Sequence, residues 1–318
     1  MKILAPHIAN LFFYGACQGI DELTLRQHLF DDQLNVCDSN NWVSDKEYLE
    51  VLGVLVNKVN NQYFGLYYGS YLNIKALGLI AEISLNASSL EQAIILLQKY
   101  LDSTFPFVSL ILERNSEHCI LRLKCTLEDK LLKNHILDTV FYFIYRELKL
   151  MLADEYYPTL QLPYSNVDEY TKLLNATIIK GNSHSIILSN KVLDIEINRK
   201  RINEIEYLLP KFLIMLDKKK DGYKSFSLQV RNMILNMCCP ELPVFQQLSK
   251  QFALSDRTIQ RKLTKEGQSF REISDEIKRE LSNYLIKGKR IKTQDIAYIL
   301  GYSEPSAYLH AVKRWDSA

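Results

Sequence analysis

The sequence predicts an α+β amino-terminal domain followed by an all-α carboxyl-terminal domain, in which two helix-turn-helix subdomains are joined by a long helix. Three observations predict it. The first two-thirds of the chain mixes helical with strand periodicity, the last third has helical periodicity only, and that last third resembles itself at a fixed offset. With 318 residues, 47% of them apolar, the chain can bury a sizeable core and divide into two domains.

Helical character fills roughly the first thirty residues and returns over Val43–Gly53, with Trp42 and Tyr48 at its start. Around "NNQYFGLYYGSYLNIKALGLI" the glycines Gly65, Gly69 and Gly78 punctuate an aromatic-rich helix and loop. In "NASSLEQAIILLQKY" the S-x-x-E spacing of Ser88 and Glu91 predicts a capping box ahead of Leu90, Ile94 and Leu97. The period then changes. Val108, Leu110 and Leu112 alternate with other residues, "RNSE" turns the chain, and Cys119, Leu121, Leu123 and Cys125 alternate in return, which predicts a hairpin. A long amphipathic helix, "LLKNHILDTVFYFIYRELKLML", follows, with strand-like pieces at Thr159–Leu162, Thr177–Ile179 and Ser185–Leu188. A proline, a lysine run and a glycine in "PKFLIMLDKKKDGYKSFS" mark a linker at 217–224, between a first domain of 1–216 and a second of 225–318.

The longest apolar stretch near the start, "IANLFFYGACQGI", is interrupted by Asn10 and Gln18 and lacks both the length of a spanning helix and a cleavage pattern. A cytoplasmic protein without membrane contact is expected. Six cysteines form no C-x-x-C pair, and adjacent Cys238 and Cys239 cannot easily bridge each other, so reduced, buried thiols are expected rather than a disulfide framework. The net charge of +2 is unevenly spread. Residues 1–210 hold 19 Lys and Arg against 25 Asp and Glu, a net −6; residues 211–318 hold 20 against 12, a net +8. Such asymmetry fits a chain with one end that meets a polyanion.

Within the basic part, Leu248, Ser249, Phe252, Leu254 and Ser255 fall 48 positions before Ile296, Ala297, Leu300, Tyr302 and Ser303. In each copy an apolar helix ends at a small residue, Ala253 or Gly301, and a second helix begins after a serine. In "ALSDRTIQRKLTKEG" Ser255 predicts the cap, Gly267 the stop, and Ile259 with Leu263 a thin apolar stripe. That stripe leaves Arg257, Gln260 and Arg261 on the other side. Arginine can donate two hydrogen bonds to guanine and glutamine can pair with adenine, so these residues have base-reading chemistry. Lys262, Lys265 and Arg271 are placed for phosphates. Between the copies, the helix from Ser269 runs about 28 Å at ~1.5 Å per residue, close to the roughly 34 Å turn of B-DNA.

On these residues, about Ser225 to Trp315 resembles the AraC/XylS family of bacterial transcription regulators. The stretches "LSDRTIQRKLTKEGQSFREISDEIKRELSNYLI" and "IAYILGYSEPSAYLHAVKRW" carry the resemblance. The amino-terminal part resembles the arabinose-binding-type domain of the ornithine-utilisation and virulence-regulator branch through "FGLYYGSYLNIKALGLI" and "SSLEQAIILLQKY". The resemblance implies a regulator that binds double-stranded promoter DNA and works with RNA polymerase, without a cofactor. It implies an amino-terminal domain that senses a small molecule, pairs protomers as a homodimer, or does both. By position it assigns base reading in the second copy to Ser306, Ala307 and His310 and a phosphate contact to Lys313. His310 departs from the arginine common there and suits a packed or phosphate-facing position as well as base reading, and Leu309 stands where the first copy has Gln260. The second copy is therefore expected to lean on backbone and thymine-methyl contacts. Fatty-acid-like effectors of related regulators point to an apolar pocket around Phe64, Tyr67 and Phe105, although the general tendency of aromatic side chains to be buried favours reading these three as ordinary core.

Two other classes compete with this reading. For an enzyme, no H-E-x-x-H, G-x-S-x-G, G-x-G-x-x-G or P-loop pattern is present, and His118 and Cys119 would face opposite ways in an alternating strand. No catalytic or metal-ligating set is expected. The alternative is a ligand-binding or protein-interaction module with a drifted helix-turn-helix pair, against which the polar face of Arg257, Gln260 and Arg261 argues.

Overall fold

The computed structural model describes residues 1–38, 40–72, 87–152, 156–195, 208, 211, 214, 215, 225–238, 242–252, 254–288 and 292–316. Gly78, the 217–224 linker, Cys239 and Ala253 lie outside the described residues. The chain divides into two compact units, one of Met1–Leu72 with Glu82–Arg199, the other of Asn73–Ala81 with Lys200–Ala318.

The first unit opens with a strand rather than a helix: β1 (Lys2–Leu4) pairs antiparallel with β2 (Trp42–Ser44), Ile3 opposite Val43. Three residues are too short for alternation to announce a strand, and the partner lies forty positions away. Helices α1 (Ala5–Cys17), α2 (Glu22–Arg26) and α3 (Asp45–Val59) complete this part. Ser44 and Glu47 form a reciprocal capping box at the start of α3. Glu47 also accepts the Phe30 N–H at 2.8 Å, which ties the loop after α2 to α3.

Helix α4 (Phe64–Tyr71) lies against α6 (Lys130–Met151), with Gly65 and Gly69 at the crossing. A Cβ on Gly65 would collide with the His135 backbone, and one on Gly69 would fall 2.9 Å from the Thr139 carbonyl oxygen. The missing side chains let the two backbones approach, and Thr139 Oγ1 donates to the Gly65 carbonyl at 3.0 Å.

Helix α5 (Leu90–Thr104) is capped one residue later than the S-x-x-E spacing predicts. Ser89 accepts the Gln92 N–H, and Gln92 Oε1 accepts the Ser88 N–H at 2.9 Å. Glu91 is free of the cap and instead pairs with Arg114.

The five-stranded sheet has the order β3-β4-β7-β5-β6, built from β3 (Val108–Arg114), β4 (His118–Cys125), β5 (Thr159–Leu162), β6 (Ile178–Lys180) and β7 (Ser185–Ser189). All pairs are antiparallel except β5 with β6. The predicted hairpin forms in register, Leu110 opposite Leu123 and Leu112 opposite Leu121. Leu121, Ile186 and Leu160 continue one buried row across β4, β7 and β5; α5 packs on β3, and α6 on β4 and β3. His118 is exposed and Cys119 buried, as alternation requires. Helix α7 (Asp168–Leu174) and a 3-10 turn (Asn190–Val192) complete the unit.

The second unit is helical: α8 (Phe226–Met237), α9 (Phe245–Ser249), α10 (Asp256–Lys265), α11 (Phe270–Gly288), α12 (Thr293–Ile299) and α13 (Pro305–Asp316). Ile273, Ile277, Leu281 and Leu285 form a fully buried i, i+4 stripe along α11. Lys211 Nζ lies 3.7 Å from Glu280 of α11. Cys17, Cys119 and Cys238 are free and buried; Cys37 is free and exposed, contrary to expectation, because it lies in a turn-rich surface segment. No helix among the described residues is long and apolar enough to cross a membrane.

Candidate nucleic-acid interface

Helix α10 is built from both ends. Ser255 Oγ accepts the Thr258 N–H at 3.3 Å and Asp256 places an acid in the first turn. At the other end Gly267 adopts φ +71°, so that its N–H reaches the Thr264 carbonyl at 3.0 Å and the Gln268 N–H reaches that of Leu263 at 3.1 Å. These two bonds are a Schellman stop, which needs a residue without Cβ strain. Ile259 and Leu263 are buried at 0% and 1% exposure. Arg257, Gln260 and Arg261 are exposed and share the opposite face at helical spacing. Lys265 and Arg271 are exposed too, Arg271 in the first turn of α11. Lys262 is exposed, but its Nζ lies 4.9 Å from the centre of the Phe226 ring, so its charge is already engaged within the chain.

Helix α13 repeats the plan with different chemistry. The turn before it uses Gly301 at φ +77°, with the same pair of bonds, Gly301 N–H to Tyr298 and Tyr302 N–H to Ala297. Tyr308, Ala311 and Trp315 face inward, while Ser306, Ala307, Leu309, His310 and Lys313 are exposed. Ser306 donates to Glu304 at 3.1 Å. The outward face is thus small, apolar and weakly polar where α10 shows two arginines and a glutamine.

Helix α11 is fastened at several points. Arg231 of α8 pairs with Glu280 and lies 3.8 Å from Glu276. Arg314 of α13 donates to Asp275 at 2.8 Å, and the Ser282 and Tyr308 hydroxyls meet at 2.7 Å in a buried contact. Lys278 lies 4.3 Å from the Tyr302 ring centre. Over the same two turns, 275–282, the rod therefore carries side-chain ties to α8 from Glu276 and Glu280 on one face and to α13 and its preceding turn from Asp275, Lys278 and Ser282 on another.

In the first unit, Phe64, Tyr67 and Phe105 are core residues. Phe64 packs against Tyr14, Tyr68 and His135, and Phe105 against His7, Tyr48 and Phe107. Tyr67 donates to Glu169 at 2.6 Å, and burial raises its hydroxyl pKa well above the ordinary range. Sequence reasoning missed a buried polar cluster nearby. Asp138 of α6, 2% exposed, accepts from Tyr164 at 3.0 Å and Tyr170 at 2.8 Å, and His184 Nε2 lies 2.9 Å away. The partners satisfy the carboxylate without a ligand. Among the described residues no group of three His, Cys, Asp or Glu side chains could hold a metal ion.

A sheet-containing amino-terminal region is thus followed by a basic, mostly helical part whose outward arginines suit a polyanion. Residues 31–196, just over half of the chain, match the family described as "Arabinose-binding domain of AraC transcription regulator, N-term". The chain belongs to the AraC transcription regulators. Over 83 residues it is 31% identical to the HTH-type transcriptional regulator VqsM of Pseudomonas aeruginosa, 26% of either protein. Over 73 residues it is 33% identical to the uncharacterized HTH-type transcriptional regulator Rv1395 of Mycobacterium tuberculosis, 23% of this chain and 21% of that one. The chain therefore aligns with only about a quarter of the length of these relatives. The crystal structure of transcriptional regulator CdpR from Pseudomonas aeruginosa aligns over 98% of this chain and 96% of that one, at 17% identity and TM-score 0.44.

Proposed function

We propose that the chain binds double-stranded promoter DNA sequence-specifically through two helix-turn-helix subdomains in 225–318. One is α9 with α10, the other α12 with α13, and α11 sets their separation. Base edges fall to Arg257, Gln260 and Arg261 in the first reader and to Ser306, Ala307 and His310 in the second. Phosphates fall to Lys265, Arg271 and Lys313, with Lys262 shared between a phosphate and the Phe226 ring. One observation carries the reading: on α10, Arg257 and Arg261 stand exposed opposite the two fully buried apolar side chains, with exposed Gln260 on the flank between them. A helix that served only to fill a core would not need that face.

Residues 1–216 then regulate this activity by taking up a small, apolar molecule, by pairing protomers, or by both. The effector reading rests on the aromatic content around Phe64, Tyr67 and Phe105, and an effector there must displace ring contacts that already fill the core. RNA polymerase is the expected partner at the promoter.

The test is a titration of the full chain against duplexes selected from a random pool, repeated across salt. Four phosphate contacts predict a slope of about −3.6 in log K against log salt. Lys265→Ala should flatten that slope by about one without changing the preferred sequence. Failure to enrich any sequence, at any salt, would remove the reading.

A further inference from the structure

Glu266 follows the last residue of α10, and its side chain leaves that helix for another. One carboxylate oxygen accepts the Phe226 backbone N–H and the other accepts that of Ser227, both at 2.8 Å. These are the first two N–H groups of α8, which have no intrahelical acceptor and sit at the positive end of its dipole. Bonds from Ser227 and from the Phe226 backbone, with Lys262 close by, hold the carboxyl below its ordinary pKa range. Lys262 adds its contact over the Phe226 ring, and that ring packs 5.5 Å from Phe252, in the segment between α9 and α10.

Helix α8 already has a local cap, because Ser225 Oγ accepts the Leu228 N–H at 3.3 Å. The carboxylate, forty residues away in sequence, therefore contributes something a local cap cannot. It fixes the distance between the start of α8 and the end of α10. Helix α10 needs this, since its own buried side chains are Ile259 and Leu263, one narrow line about which a short helix can roll.

We propose that Glu266 is a positioning residue for sequence reading: it sets the roll and pitch of α10 against α8, so that Arg257, Gln260 and Arg261 meet base edges in register. The inference rests on α10 being a DNA reader. Residues 217–224 lead in sequence directly into Ser225 and Phe226, so the same latch joins the incoming chain to the far end of the reader.

The experiment uses the full chain, with Glu266→Ala and Glu266→Gln, titrated against the best selected duplex and a scrambled one at the same salt. Glu266→Ala should lower the selected-to-scrambled affinity ratio by about tenfold, the size of one lost bidentate base contact, while scrambled affinity stays within about twofold. Glu266→Gln keeps one acceptor oxygen and should retain part of the ratio. Methylation interference at guanine N7 should weaken in the half-site read by α10 and persist in the other. Melting temperatures measured alongside separate a loss of reading from a loss of fold. An unchanged ratio in both variants overturns the proposal, whatever the melting temperature does. An equal loss on both duplexes overturns it too, because that is the signature of fewer folded molecules. A wild-type chain with no preference between the duplexes removes the reading role of α10 itself, and is seen before any substitution is made.

Discussion

Arg261 and Leu263 lie two residues apart on α10, and their substitution by alanine should give opposite results. Leu263 is 1% exposed and is one of the two side chains that seat the helix. Removing most of it loses apolar burial and leaves a cavity that one short helix cannot fill, so Leu263→Ala should cost about 2–5 kcal/mol of stability. Arg261 is exposed, and among the described residues none forms a hydrogen bond or ion pair with its side chain. Arg261→Ala should therefore change stability by no more than about 0.5 kcal/mol. On DNA the order reverses. If Arg261 reads a base, its loss costs about 1–3 kcal/mol of specific binding, roughly 5- to 150-fold, and relaxes preference at one position. Urea unfolding followed by circular dichroism gives the first quantity, and duplex titration under conditions where both variants are folded gives the second. Arg261→Ala that unfolds the protein early, or that binds selected DNA with unchanged affinity and preference, refutes the division of α10 into a seating side and a reading side.

Glu147 of α6 is 0% exposed with neither carboxylate oxygen hydrogen-bonded among the described residues, and burial raises its pKa well above the ordinary value. A raised carboxyl stabilises below its unfolded pKa and loses that contribution as pH rises, so Glu147→Met should add about 1–3 kcal/mol at pH 8 and less at pH 5; thermal melts at the two pH values check this. His7 runs the other way. Burial lowers its pKa to about 4 from 6.5, so its contribution, about 3 kcal/mol at 1.36 kcal/mol per unit, is present above pH 6.5 and lost as pH falls through 4; in His7→Phe the acid limb of stability should flatten. Gly65→Ala drives a Cβ into the His135 backbone and should cost about 1–3 kcal/mol or more in urea unfolding. Because Ala307 and exposed Leu309 face outward on α13, replacing thymine by uracil in the half-site distal to α10 should weaken binding, whereas in the proximal half-site it should have little effect.

What the sequence made legible was local. The hairpin at 108–125 follows from alternation alone, and α10 follows from Ser255, the Ile259–Leu263 stripe and Gly267, each acting within a turn or two. What it hid depends on distant partners. β1 needs β2 forty residues on, and Asp138 draws its donors from Tyr164, Tyr170 and His184, three positions with no shared period. Glu266 reads in sequence as an ordinary acid near a helix end, and its partners Phe226 and Ser227 are backbone groups that no side-chain pattern announces. The cap at 88–92 falls one residue later than the S-x-x-E spacing because Ser88 and Ser89 both present a hydroxyl, and Gln92 serves Ser89 as Glu91 would have served Ser88. Of the candidate sites, exposure of the α10 and α13 faces was readable from the 3.6-residue period, and burial of Phe64, Tyr67 and Phe105 followed from the general tendency of aromatic side chains; their ring partners, distant in sequence, were not readable.

The most direct measurement is a contact map of the full chain on a selected duplex, by hydroxyl-radical footprinting and guanine N7 interference together. Two clusters of major-groove contacts on one face of the DNA, centred about 10 base pairs apart, are the outcome expected of two readers spaced by α11. A single cluster, or two on opposite faces of the duplex, would contradict it.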